Sequence, residues 1–112
     1  MERETLEIER AKWLPFFDSV SESLRGKAAD ISLVSPTEYQ HQSRVWQLHG
    51  LTYDPYDDAL IVSCQQQEHV IASPTTIRVA KCGHEIEAVE VTKAHNEREI
   101  IRFVDPVLLM PV

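Results

Sequence analysis

Residues 51–64, Leu-Thr-Tyr-Asp-Pro-Tyr-Asp-Asp-Ala-Leu-Ile-Val-Ser-Cys, constrain the fold more than any other stretch. Asp54-Pro55-Tyr56-Asp57 has the composition of a type I turn: an Asp whose carboxylate accepts backbone N–H groups, then a proline whose ring presets φ. Residues 59–64 are apolar and β-branched, as a strand requires. The chain therefore doubles back here, and the question is its register. If the four turn residues alone form the loop, Leu51 faces Leu60 and His49 faces Val62, while Trp46 and Leu48 point the other way. A longer loop over 53–57 pairs Gly50 with Leu60, Leu48 with Val62 and Trp46 with Cys64, and gathers the large apolar groups on one face. A one-residue slip exchanges the faces, so burial selects the longer loop, which is also a common hairpin length. The opposite face then carries Val45, Gln47, His49, Leu51, Ala59, Ile61 and Ser63.

Before this hairpin the chain contains one clear helix. Trp13, Phe16, Phe17, Val20 and Leu24 fall at three- and four-residue steps and form one apolar stripe. Pro15 is tolerated only near a helix start, which predicts a looser turn over 9–12, and Gly26 supplies the stop. Residues 5–8 read as a short strand or an ordered lead-in. Residues 28–34 alternate as a half-buried strand, and polar residues 35–43 read as a loop. After the hairpin, residues 69–72 read as one helical turn, with the 65–73 link left open between a hairpin loop and a short crossover. Residues 76–80 form a strand, Lys81-Cys82-Gly83 a tight turn with Gly83 at positive φ, and 85–92 a strand. Its inward phase shifts between Ile86 and Val89, which calls for a β-bulge near Ala88. Residues 93–97 form a hairpin loop and 98–104 the last strand.

The expected fold is α+β: one N-terminal helix packed on a mostly antiparallel sheet of five or six strands, with a single domain over 1–105 and an apolar tail over 106–112. The buried layer is the helix stripe against Ile31, Leu33, Trp46, Leu48, Leu60, Val62, Ile77, Val79, Ile101 and Phe103. A chain of 112 residues has the size of one domain with one core. Its net charge of −7 and scattered Lys and Arg argue against nucleic acid. The lack of an apolar span argues against a membrane. Two cysteines and a charged start without an apolar signal core point to the cytoplasm.

Three pieces carry a family resemblance: Trp13-Leu14-Pro15-Phe16-Phe17, the run from Gly50-Leu51-Thr52-Tyr53-Asp54-Pro55 through Tyr56-Asp57-Asp58-Ala59-Leu60, and His69-Val70-Ile71 followed by Pro74 and Ile77-Arg78-Val79. With these the chain resembles a small bacterial family known only as a domain of unknown function. The resemblance implies similar size and a helix-then-sheet layout, and it implies no reaction, cofactor or catalytic residue.

The chemistry-bearing groups do not assemble into a catalytic set. Asp54, Asp57 and Asp58 could offer oxygen ligands to Ca²⁺ or Mg²⁺, but their spacing is not that of a calcium loop, and turn chemistry accounts for them. Cys82-Gly83-His84 lacks the further ligands a zinc site needs. Glu85, Glu87, Glu90, Glu97 and Glu99 read as a solvated hairpin with Lys93, Arg98 and Arg102, and His69 as a capping or packing residue. Gln47, His49 and Ser63 share the free sheet face and are the first candidates for binding, with the Asp-rich turn second. The expectation is a non-catalytic binding or interaction module without metal or cofactor, its partner another protein or a second copy in a homodimer. The competing expectation is a small-ligand protein or enzyme using Gln47, His49 and Ser63 or the Asp turn.

Overall fold

Trp13, Phe17, Val20 and Leu24 lie on one side of α1 (Trp13–Leu24) and are buried, with Phe16 half-buried beside them. Pro15 occupies the first turn, where a missing N–H costs no hydrogen bond. A 3-10 turn (Arg10–Lys12) precedes the helix, and Gly26 at φ +82° ends it. The computed structural model describes residues 3–35, 44–65 and 67–108. Its strands are β1 (Arg3–Ile8), β2 (Ala28–Val34), β3 (Arg44–Asp54), β4 (Ala59–Cys64), β5 (Glu68–Ala72), β6 (Thr76–Cys82), β7 (Glu85–Thr92) and β8 (Arg98–Leu108). They form one antiparallel sheet in the order β1-β6-β7-β8-β2-β3-β4-β5.

The architecture is α+β as expected, but with eight strands among the described residues instead of five or six. The additional strands are β1, which pairs with β6, and β5, which pairs with β4. Residues 69–72 are extended and not helical: Ile71 is buried between exposed Val70 and Ala72. Four residues are too few to nucleate a helix, whereas the free edge of β4 pairs the backbone groups on one side of the segment. The 65–73 link is therefore neither a crossover nor a simple loop. It holds a whole strand, after which the chain turns at Ser73 (φ 53°) and crosses to β6, between β1 and β7.

The central hairpin also corrects the expected register. Tyr53 faces Leu60, Leu51 faces Val62 and Leu48 faces Cys64, with a bulge between Leu48 and Gly50. The strand runs to Asp54, and the turn is Pro55 to Asp58, made possible by Asp58 at φ 49°. The extra residue at the bulge lets Leu48 and Leu51 both face inward, so Leu51 and Ala59, expected outside, are buried. Trp46 and Val62 remain on the core side, as expected.

Two other irregularities shape the sheet. The β6–β7 register shifts between Ala80 and Lys81, and the β7–β8 register between Ile86 and Ala88, which is the bulge the sequence requires. Opposite that bulge, β8 continues past Asp105, where the tail was expected to begin. Val107 pairs with Ile86 and is buried. The polar loop over 36–43 and the end of the tail over 109–112 lie outside the described residues.

Candidate functional site

In the β1-β6-β7-β8-β2 half of the sheet, Ile77, Val79, Ile86, Val89, Val91, Ile101 and Phe103 point to the core. The alternate residues therefore make up the outer face. Across it run two rows set by the registers: Thr5-Ala80-Ala88-Arg102-Asp30, and Glu7-Arg78-Glu90-Ile100-Ser32. Glu7, Arg78, Glu90, Ile100 and Arg102 carry the long side chains of these rows. Ala80 and Ala88, side by side at the middle, carry one methyl each. The result is a hollow of about 380 Å³ lined by Arg3, Arg78, Glu87, Glu90, Arg102 and Val104, with Ala80, Ala88 and Ile100 among its apolar residues. Its volume is in the range of small-ligand pockets.

The charges around it are unevenly matched. Arg3 Nε lies 2.7 Å from Glu87 Oε2, and Arg98 lies 3.1 Å from Glu90 Oε1. Arg78 is 3.7 Å from Glu7, a separation too long for a hydrogen bond. Arg102 is exposed and makes no ion pair within 4.0 Å among the described residues. The lining thus keeps a surplus of guanidinium groups in a chain of net charge −7.

None of Gln47, His49, Ser63, Asp54, Asp57 or Asp58 lines this hollow. Gln47 and His49 are exposed on β3, His49 at the bulge, and half-buried Ser63 stands opposite Gly50 on β4. The three turn carboxylates do not converge. Asp54 Oδ1 accepts the N–H groups of Tyr56 (2.9 Å) and Asp57 (3.4 Å). Asp58 Oδ1 accepts the Tyr53 hydroxyl at 2.6 Å and Arg10 at 3.0 Å. These two bonds, the Tyr53 one foremost, hold the Asp58 carboxyl below its ordinary value, and the same bond raises the Tyr53 hydroxyl. Arg10 also donates to the Pro74 carbonyl at 2.8 Å and lies 4.3 Å from the Trp13 ring. The Asp-rich turn therefore clamps the helix entry to the sheet. Among the described residues no three His, Cys, Asp or Glu side chains gather in a metal-binding group.

One polar cluster was not anticipated. Glu99, expected on a solvated hairpin, is 4% exposed. Its register between Val91 and Leu33 places it in the inward phase of β8 with Ile101 and Phe103. His69 Nε2–H donates to Glu99 Oε1 at 2.6 Å, and Lys93 Nζ lies 3.0 Å from Oε2. Burial pushes the Glu99 carboxyl up, but the bonds from His69 and Lys93 outweigh it and bring it below its ordinary value. A His–carboxylate pair can orient a base for a nucleophile. The thiol on the neighbouring strand, Cys64, is pushed up by burial and stays protonated at neutral pH. Among the described residues, the bonds from His69 and Lys93 satisfy the buried charge of Glu99.

Neither group was plainly legible in the sequence. Around the Gly83-His84 turn the first pairs are Cys82–Glu85 and Lys81–Ile86. Carried on without interruption, that register sets Ala80 against Glu87. Only the bulge brings two alanines together. For Glu99, the signal was its shared phase with Ile101 and Phe103.

The fold and its surfaces define a small α+β protein whose N-terminal helix is seated on a curled antiparallel sheet. The chain belongs to the family of unknown function DUF5335, whose model matches residues 4–112. Comparison with curated proteins and with solved structures returns no match.

Proposed function

We propose that the chain is a non-catalytic binding module of the bacterial cytoplasm that takes its ligand in the hollow over Ala80 and Ala88. One observation carries this reading: a cavity of ligand size, apolar in its small-residue centre and walled by three arginines and two glutamates. Specific pockets combine such an apolar body with a few convergent polar groups. The cytoplasmic assignment rests on the low cysteine count, Cys64 and Cys82 alone, which does not make the disulfide framework of a secreted domain. Among the described residues no helix is long and apolar enough to cross a membrane. The test is to fill the hollow. Fragments that bind the natural chain in ligand-observed NMR are expected to lose binding to Ala88→Phe. Fragments that bind both chains equally would place the binding surface elsewhere.

A second reading, self-association, is favoured by the sheet's ends. β5 is outermost in the sheet order and carries Val70 half exposed, and an open edge can pair with another chain. Sizing the chain beside Val70→Lys tests this. A dimer that dissociates on substitution supports it, and two monomers of equal mass remove it.

A further inference from the structure

We infer that the ligand class of the hollow is a small molecule carrying one carboxylate on a flat apolar body, with the carboxylate on Arg102 and the body over Ala80 and Ala88. This inference rests on the reading of the hollow as the binding site. The charge pattern selects an anion. Glu87 is matched by Arg3 and Glu90 by Arg98, while Arg102 has no ion-pair partner among the described residues. Asp30 stands opposite Arg102 in register on β2. The guanidinium fork fits a planar two-oxygen anion through two parallel bonds.

The same pattern disfavours a dianionic phosphate. Glu87 and Glu90 line the hollow themselves, and their charges, though matched, oppose a second negative charge placed between them. A bare inorganic anion would also leave the apolar part of the site uncovered. Ala80, Ala88, Ile100 and Val104 offer surface to a hydrocarbon or aromatic body. A body lying over the two methyl groups places its acid substituent toward β8, where Arg102 follows Ala88 in the same row.

Three probes of one shape separate charge from fit: benzoate, benzyl alcohol and benzamidine, each titrated into the isotope-labelled full chain and followed by amide shifts. Benzoate is expected to shift Ala80, Ala88 and Arg102 saturably. Benzyl alcohol is expected to bind roughly tenfold more weakly, the size of one charge-assisted bond, and benzamidine not to shift these amides. Arg102→Gln is expected to weaken benzoate by the same factor, and Arg25→Gln, on an exposed turn outside the hollow, to leave it unchanged. Spectra of Arg102→Gln that superimpose away from the hollow confirm its fold, and Arg78→Gln provides a second wall variant with a smaller loss. Equal binding of the neutral or cationic probe would overturn the carboxylate inference while leaving the hollow as a site. Benzoate shifts insensitive to Arg102, or absent from the hollow, would overturn it as well. In that case the filled variant Ala88→Phe decides separately whether the hollow binds anything.

Discussion

Glu99 shows how one residue can carry a condition on the whole fold. Its carboxylate is buried, and it is tolerated because His69 and Lys93 each supply a bond to one of its oxygens. The folded carboxyl titrates below its unfolded value of about 4.3. The folded state therefore binds that proton less tightly than the unfolded chain does. The resulting stability is fully present above the ordinary carboxyl range and is lost as pH falls through the folded value. Lys93→Met removes one of the two donors. The folded value then rises toward the ordinary one, so the loss on acidification becomes smaller and ends at a higher pH. At neutral pH the variant is expected to be less stable by about 1–3 kcal/mol, the cost of a buried polar group left short of a partner. Melting temperatures from pH 7 to pH 3 for both chains check this, and superimposable profiles would show that Lys93 does not hold the carboxylate. A second residue-scale test lies at the turn. Asp58→Asn keeps the shape of the acceptor but removes the charge facing Arg10. It is expected to cost under about 1 kcal/mol in urea unfolding, since that pair is half exposed.

Among the elements, the contact of α1 with β3 depends on one missing methyl group. A Cβ built on Gly50 would collide with the Ser21 hydroxyl, which also accepts the Leu51 N–H at 3.3 Å. Gly50→Ala must turn that hydroxyl away and leave the Leu51 N–H unpaired beneath the helix, at a cost of about 1–3 kcal/mol. In a Ser21→Ala background the bond is already gone and the obstacle is smaller, so the same substitution is expected to cost clearly less. A double-mutant cycle by urea denaturation measures the difference, and strict additivity would show that the two residues do not meet. The same elements show what was legible in the sequence. The helix, its stop at Gly26 and the bulge near Ala88 could be read because periodicity and glycine report local geometry directly. The hairpin register could not, because Asp58 took a left-handed conformation and the bulge at His49 restored the inward phase one residue later. The candidate face of Gln47, His49 and Ser63 followed from alternation on one hairpin. The hollow needs three strand pairings and an interrupted register, which alternation along a single strand does not reveal. β5 was missed because its apolar content is Val70, Ile71 and Ala72, too little to distinguish a strand from a turn.

At the scale of the whole molecule, the His69–Glu99 bond requires the sheet to curl. β5 and β8 are separated by β4, β3 and β2, which in a flat sheet would put them about 19 Å apart. The two side chains meet at 2.6 Å, so the β3-β4-β5 portion folds back over the other half and encloses one core. That core takes Leu60, Val62 and Ile71 from one side, Val89, Val91 and Ile101 from the other, and Trp13, Phe17, Val20 and Leu24 from the helix. A shared core makes the halves interdependent, because neither can bury its apolar face alone. Phe17 is fully buried in the helix stripe of that core. Phe17→Ala is therefore expected to cost about 3–5 kcal/mol, and the cost should be felt in both halves. Native-state hydrogen exchange measures it locally: the amides of Val62 in β4 and Val89 in β7 should lose the same protection free energy. If Val62 loses protection while Val89 keeps it, the halves open separately. The fold would then consist of two cooperative units joined through β2, with the helix belonging to only one of them.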